Sequence, residues 1–410
     1  MTAESLNSNA AIANTGLIDS PLFTRWEDPV SGIKSFVLSE RVAPHQQTFY
    51  FVNPSISADG RYYWFYCAFP PAGNANEGRA LGVVDLLDNR AHYFPETAFT
   101  DASPMVDART GEVYWCTGLE IWKRSPILDA APVLVHRFPK KLAHNRRPWR
   151  LATHLTFSAD RSAVNVDAEI GGISYVGHAP LDGGEFVLWQ QMDRVYNHAQ
   201  FSPVDPDLQL VAQDSAVDPL TGEYRPYDIR LWLIRRGGKA ESVFPEPLTA
   251  AAQVRQPNTG VLEESPKSSY DARGMHGHEW WGADGQSIWY VHYGTGVERV
   301  ALGSTTPELV WPHHTVSHAH ASADGRLLVL DSLPQDQPED RRVTFINLET
   351  RRTVHIVSCI SELDPAMRRY HIHPHPQFCL NDQYISYTTT IGGRLDVAFA
   401  SVAQLVAHTS

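Results

Sequence analysis

HEWWGADGQSIWY, residues 278 to 290, reads as an apolar strand, a tight Asp-Gly turn and a second apolar strand. That order is a β-hairpin signature: the flanks are aromatic and β-branched, and the turn residues tolerate positive φ. The same arrangement recurs as NPSISADGRYYWF from Asn53, HLTFSADRSAV from His154, HAQFSPVDPDLQL from His198, HAHASADGRLLVL from His318 and HPQFCLNDQYISY from His375. A looser copy, DASPMVDARTGEVYW, starts at Asp101 with an extra residue in its turn. Hairpins repeated along one chain predict repeated sheets. The expected fold is all-β, a single seven-bladed β-propeller of four-stranded antiparallel blades. RALGVVDL, ISYVGHAP, IRLWLIRR, VERVAL, VTFINL and LDVAFASV read as third strands. GIKSFVLSE, residues 32 to 40, is expected to pair with the C-terminal strand, closing the ring and removing two sheet edges.

Bulk properties narrow the function. The chain has 410 residues, 43% of them hydrophobic and 20% charged, with a formal net charge of −12. That is ample material for a globular core, and it lacks the basic footprint that nucleic-acid binding requires. Cys67, Cys116, Cys359 and Cys379 are far apart with no CxxC pair, which predicts buried free thiols rather than a disulfide framework. The opening MTAESLNSNAAIANTG has neither a basic start nor an apolar stretch, so residues 1–20 are expected to be a disordered lead-in, with the propeller over 21–410. No run is long enough to span a bilayer, and the expected setting is the cytoplasm, with no membrane partner. Two segments stand outside the repeat. One is the 246–274 loop, rich in Pro, Gln and Ser, which is expected to drape over one face. The other is the basic KKLAHNRRPWR, residues 140 to 150, either an anionic-polymer contact or a solvated linker.

The register of the repeat carries the chemistry. Four residues before the turn-opening Ser, Gly or Cys stand Asn53, His154, His198, His278, His318 and His375. In a propeller the first strand of each blade lies nearest the axis, so these positions are expected to converge on one mouth of the channel. Three of the copies add a second histidine two residues away: MHGHE (His276, His278), SHAHAS (His318, His320) and HIHPHP (His371, His373, His375). Side chains two apart on a strand share a face, so such pairs are expected to approach one ion together. Imidazole-rich sites suit several divalent metals.

MHGHEWWGADGQSIWYV, SHAHASADGRLLVL and HPHPQF, in that order, resemble the oligogalacturonate lyases, as does NHAQFSPVDPDLQLV followed by DIRLWLI. The resemblance covers roughly residues 45 to 405 and is strongest from 198 onward. It implies a seven-bladed propeller that binds a divalent metal, commonly manganese, and cleaves short pectic fragments by β-elimination. It places metal ligands at His318, His373 and His375, the proton-abstracting base at His278 and a catalytic arginine at Arg230. The family's glutamine ligand falls on Tyr370, so Tyr370 or His371 is the possible fourth ligand. His198, His154 and Asn53 remain candidates for contact with an acidic oligosaccharide.

Other readings stay open. The same mechanism fits a glucuronate- or rhamnose-containing glycoside. A non-catalytic interaction scaffold would need no metal, although repeated Trp-Asp dipeptides are missing. A glycoside hydrolase would need two carboxylates across the pocket, and Glu279 alone stands out. For Arg230 itself, a buried ion pair with a carboxylate such as Asp228 is the structural alternative.

Overall fold

The computed structural model of the chain describes residues 17, 19–71, 77–218, 220–222, 224–225, 227, 229–244, 276–333, 340–361, 363, 370 and 373–410. Among them, seven consecutive antiparallel sheets give the seven-bladed β-propeller. The first blade holds His45–Gln47, Tyr62–Ala68, Glu77–Asp85 and Arg90–Thr100. The second holds Met105–Val106, Val113–Thr117, Glu120–Arg124 and Val133–Arg137. The third is a three-stranded ladder over Ala163–Met192. Its innermost strand is reduced to a bridge between Phe157 and Val164. The fourth runs from Tyr196 to Ser242, the fifth from His276 to Pro312 and the sixth from Val316 to Val357.

The seventh blade is built from both ends of the chain. Phe23–Glu27 and Lys34–Leu38 add to Gln377–Cys379, Tyr384–Thr389 and Asp396–Ser401, with Ser35 opposite Ala400 and Val37 opposite Ala398. The closure expected for residues 32 to 40 is the one observed, and it pairs an edge that would otherwise be open.

The repeated turns share one chemistry. Ser57, Ser158 and Ser322 donate to Asp59, Asp160 and Asp324 at 2.5, 2.7 and 2.7 Å. The residue after the Asp takes positive φ at Gly60 (74°), Gly285 (66°) and Gly325 (68°), which glycine adopts without a Cβ clash. Blade three has Arg161 there, at φ 61°, its guanidinium 4.1 Å above the Phe157 ring.

The first hairpin departs from expectation. The inner strand of its blade is His45–Gln47, and the segment after Asn53 forms only a bridge between Ile56 and Tyr63. Pro54 has no N–H to offer a ladder, so the regular pairing forms earlier in the chain.

Two compact units divide the chain: Met1–Trp115 with Lys123–Val133 and His318–Ser410, and Cys116–Trp122 with Leu134–Ser317. In the first, Tyr63, Phe65, Val84, Tyr384 and Phe399 form a buried cluster, with Tyr63 and Phe399 edge to face at 4.7 Å. In the second, Leu208, Leu210, Leu231, Ile288, Tyr290 and Val300 do the same, and the Trp281 indole donates to the Gln200 carbonyl at 3.2 Å. All four cysteines are free; Cys67, Cys116 and Cys379 are buried and Cys359 is exposed. Among the described residues no helix is long and apolar enough to cross a membrane. The 246–274 loop and most of the lead-in lie outside the described residues.

Candidate metal centre and active site

The inner strands bend at the repeated histidine. His198, His278 and His375 all have left-handed backbones, at φ 55°, 52° and 45°. In the fourth and fifth blades this coincides with a register shift, between Asn197 and Gln200 and between Gly277 and Trp280. A bulge re-aims a side chain, and a non-glycine residue in this region costs about 1–3 kcal/mol and concentrates at functional sites. The bend also breaks the alternation assumed from the sequence. His276 and His278 therefore join different groups. His320 does not join His318; its Nδ1 accepts the backbone N–H of Phe378 at 3.2 Å. His373 and His375 precede the strand Gln377–Cys379, because Pro374 and Pro376 lack ladder donors.

His318, His373 and His375 nevertheless converge. Each offers a ring nitrogen, and these atoms lie within 4.8 Å of one another. The ring of His318 stands 4.3 Å from that of His375 and 5.2 Å from that of His373. Behind them lies Asp331, fully buried. Its Oδ2 is 3.0 Å from His318 Nδ1, and it accepts the backbone N–H groups of His318 (2.7 Å) and His375 (3.2 Å). A carboxylate accepting Nδ1–H fixes the tautomer that leaves Nε2 as the lone-pair donor, the usual arrangement behind a metal-bound histidine. Burial pushes Asp331 up to about 8 against those N–H groups. Burial likewise pushes His373 down to about 4, leaving its ring neutral. Among the described residues no Arg or Lys is ion-paired with Asp331. Three imidazoles and a buried carboxylate without a cationic side chain among the described residues are a donor set that fits a divalent cation. Tyr50 closes one side, its ring 4.8 Å from His375.

Tyr370 is engaged elsewhere in the same unit. It is buried with its ring 5.0 Å from His45, packed with Ala68 and Leu395, and its carbonyl accepts Gln47 Nε2 at 2.6 Å. His371 lies outside the described residues. Asn53 is fully buried, and its carbonyl accepts from Gln377 at 3.0 Å.

The second unit carries the other candidates. His278 Nδ1 makes a short hydrogen bond to the Ser317 carbonyl, and the Tyr293 hydroxyl lies 3.0 Å from the same nitrogen. A carbonyl only accepts, so Nδ1 holds the proton and Nε2 is the basic nitrogen of the ring. Ser317 immediately precedes His318 in the chain. Arg230, buried, sits 3.5 Å from Glu279 and 3.4 Å from Asp214 and donates to the Gln213 carbonyl at 3.2 Å. Asp228, the partner considered from sequence, lies outside the described residues. Glu279 also holds His198 Nδ1 at 3.1 Å, and the His198 ring stands 4.8 Å from that of His154. Burial works against charge at Glu279, but Arg230 and His198 hold its carboxyl well below the usual range. Burial is likewise overcome at Arg230, which Glu279 and Asp214 keep firmly protonated. Sequence reasoning missed Asp331, Asp214 and the role of Glu279. Only the hairpin order hinted that second-strand residues such as Asp331 stand beside first-strand histidines.

The chain is a propeller in which one unit carries a histidine cluster that could hold a metal ion and the other carries an arginine–carboxylate network. No known family profile and no curated protein sequence matches the chain. Solved structures do. An oligogalacturonate lyase in complex with manganese is similar at TM-score 0.67 and 16% identity, over 92% of this chain and 96% of that one. The oligogalacturonate lyase of Vibrio parahaemolyticus is similar at TM-score 0.67 and 15% identity, over 93% and 96%. At such identity the likeness establishes a shared fold.

Proposed function

We propose that the protein is a metal-dependent carbon–oxygen lyase of the cytoplasm that cleaves short uronic-acid oligosaccharides by β-elimination. The carrying observation is the His318, His373 and His375 cluster backed by Asp331, in a fold shared end to end with two oligogalacturonate lyases. Those three histidines would hold the cation, manganese in the first of the similar structures, and when bound it supplies positive charge to a uronate carboxylate.

The chain's own residues do the remaining work. His278 accepts the proton from the carbon next to that carboxylate through Nε2, while Ser317 and Tyr293 keep the ring in the required tautomer. Electrons from that C–H bond form the ring double bond, and the glycosidic oxygen leaves the adjacent carbon with its bonding pair and takes a proton from solvent. Arg230 brings a fixed cation for the charge developing on the carboxylate. Its own charge is held by Glu279 and Asp214, so little reorganisation is needed as the reaction proceeds. His198 and His154 are proposed to contact the sugar, and Asn53 to support the inner strand through its backbone.

The substrate is proposed to be oligogalacturonate-like, or a glucuronate- or rhamnose-containing glycoside, since Tyr370 packs on His45 where the lyases carry a glutamine ligand. The test is turnover of a uronide panel, followed by the ultraviolet band of the unsaturated product and by metal analysis. The expected result is that band from at least one uronide, with metal retained by wild type and lost by His375→Ala. New reducing ends without the band would instead indicate hydrolysis.

A further inference from the structure

His276, His292 and Glu298 lie on three successive strands of the fifth blade and face one another. His276 is opposite His292 in the ladder between the first two strands. His292 is opposite Gly296 and Tyr290 is opposite Glu298 in the next ladder. Residues two apart share a face of a strand, so Glu298 stands beside His292. Their potential ligand atoms lie within 4.8 Å of one another, and the two imidazole centroids are 4.8 Å apart. Glu298 Oε1 is 3.0 Å from His292 Nδ1, near the spacing of about 3.3 Å expected between two donors on one tetrahedral zinc-type ion. The Tyr290 hydroxyl donates to Glu298 Oε2 at 2.8 Å, which holds the carboxylate with its other oxygen toward the histidines.

His276 supplies the independent observation. Among the described residues its Nδ1 is buried with no hydrogen-bond partner, a state that costs about 1–3 kcal/mol for an ordinary polar group. Tyr290 at 4.8 Å and Phe244 at 5.5 Å pack its ring and give it no acceptor. Among the described residues the hydrogen bond within the cluster joins His292 and Glu298 and does not include His276 Nδ1.

We propose that His276, His292 and Glu298 form a second binding site for a divalent transition metal, with a ligand set of its own. Two imidazoles and one carboxylate leave at least one position for water, and they suit Zn or Mn-class ions rather than Ca or Mg. The consequence is positional. His276 is two residues before His278, and His292 is followed by Tyr293, the hydroxyl beside His278. One cation would therefore pin both segments that aim the proposed base.

The test reads metal directly and does not depend on lyase activity. Full-length protein carrying His375→Ala, which disables the first centre, is stripped, then titrated with Zn²⁺ by calorimetry and with Co²⁺ by visible absorption. About one equivalent is expected to bind. Adding His276→Ala is expected to weaken it by at least about a hundredfold. His292→Gln, with folding checked by circular dichroism, provides the same readout should the alanine variant not fold. Absence of Zn²⁺ binding in the His375→Ala protein, or binding that neither further substitution changes, overturns the site. A protein inactive on every uronide but losing this Zn²⁺ with His276 would sink the lyase reading and leave the second site standing.

Discussion

Each unit buries a carboxylate against a histidine, yet the two carboxylates are balanced in opposite ways. In the first unit Asp331 faces His318 and two backbone N–H groups, and burial pushes it up to about 8. In the second, Glu279 faces His198 and Arg230, and the guanidinium holds it well below the usual carboxylate range. The second network pairs its carboxylates, Glu279 and Asp214, with the Arg230 guanidinium. The first is three imidazoles and an acid, which a dication complements. A buried charge has to be paired to be tolerated, and Glu279 is paired with a guanidinium whereas Asp331 is faced by an imidazole and backbone N–H groups.

The largest effect expected is on turnover. His278→Ala should lower kcat by about 10²–10⁴-fold while metal content stays at the wild-type level. Loss of metal in that variant would mean that the two units do not divide the labour as proposed. Glu279→Gln should cost about 3–5 kcal/mol in denaturant unfolding, because it leaves a buried Arg230 short of its partner. A cost no larger than that of a surface change would break the contrast with Asp331.

Asp331→Asn should instead leave folding nearly intact and weaken metal affinity by about 10–100-fold, measured by calorimetry. Acid gives a further separation. His178, His276, His320 and His373 are all pushed by burial to about 4 from an ordinary value near 6.5. A depressed folded-state value means that the unfolded chain binds more protons, so their contribution is full above 6.5 and is lost as pH falls toward 4. Melting temperature should decline across that window; a flat profile between 6.5 and 4 would show these rings already protonated. The smallest effect concerns the turns: Gly60→Ala should destabilise by about 1–2 kcal/mol because φ is 74° there, whereas Arg161→Gly, at the matching turn of the other unit, should not destabilise beyond the loss of its ring contact.

Much of the fold was legible from local patterns. Alternation and turn chemistry are properties of a few adjacent residues, so the hairpins, the third strands and the closing strand at residues 32 to 40 could be read directly. Three misreadings share a cause. Prolines before Gln377 and after Asn53 remove ladder donors, and bulges at His198 and His278 reverse the face of the following residues. Alternation therefore wrongly paired His276 with His278, and it placed Asn53 on an inner strand that forms earlier in the chain and His373 and His375 on a strand that begins after them.

By itself, the sequence determined the repeat, the residue type at its recurring position and thus which imidazoles were available. Only the tertiary structure decided their partners. Asp331 lies 13 residues from His318, and Glu279 lies 49 from Arg230 and 81 from His198. Whether such carboxylates stand behind those side chains depends on strand register and bulges. Long-range pairing fixes those, and no stretch of neighbouring residues encodes it.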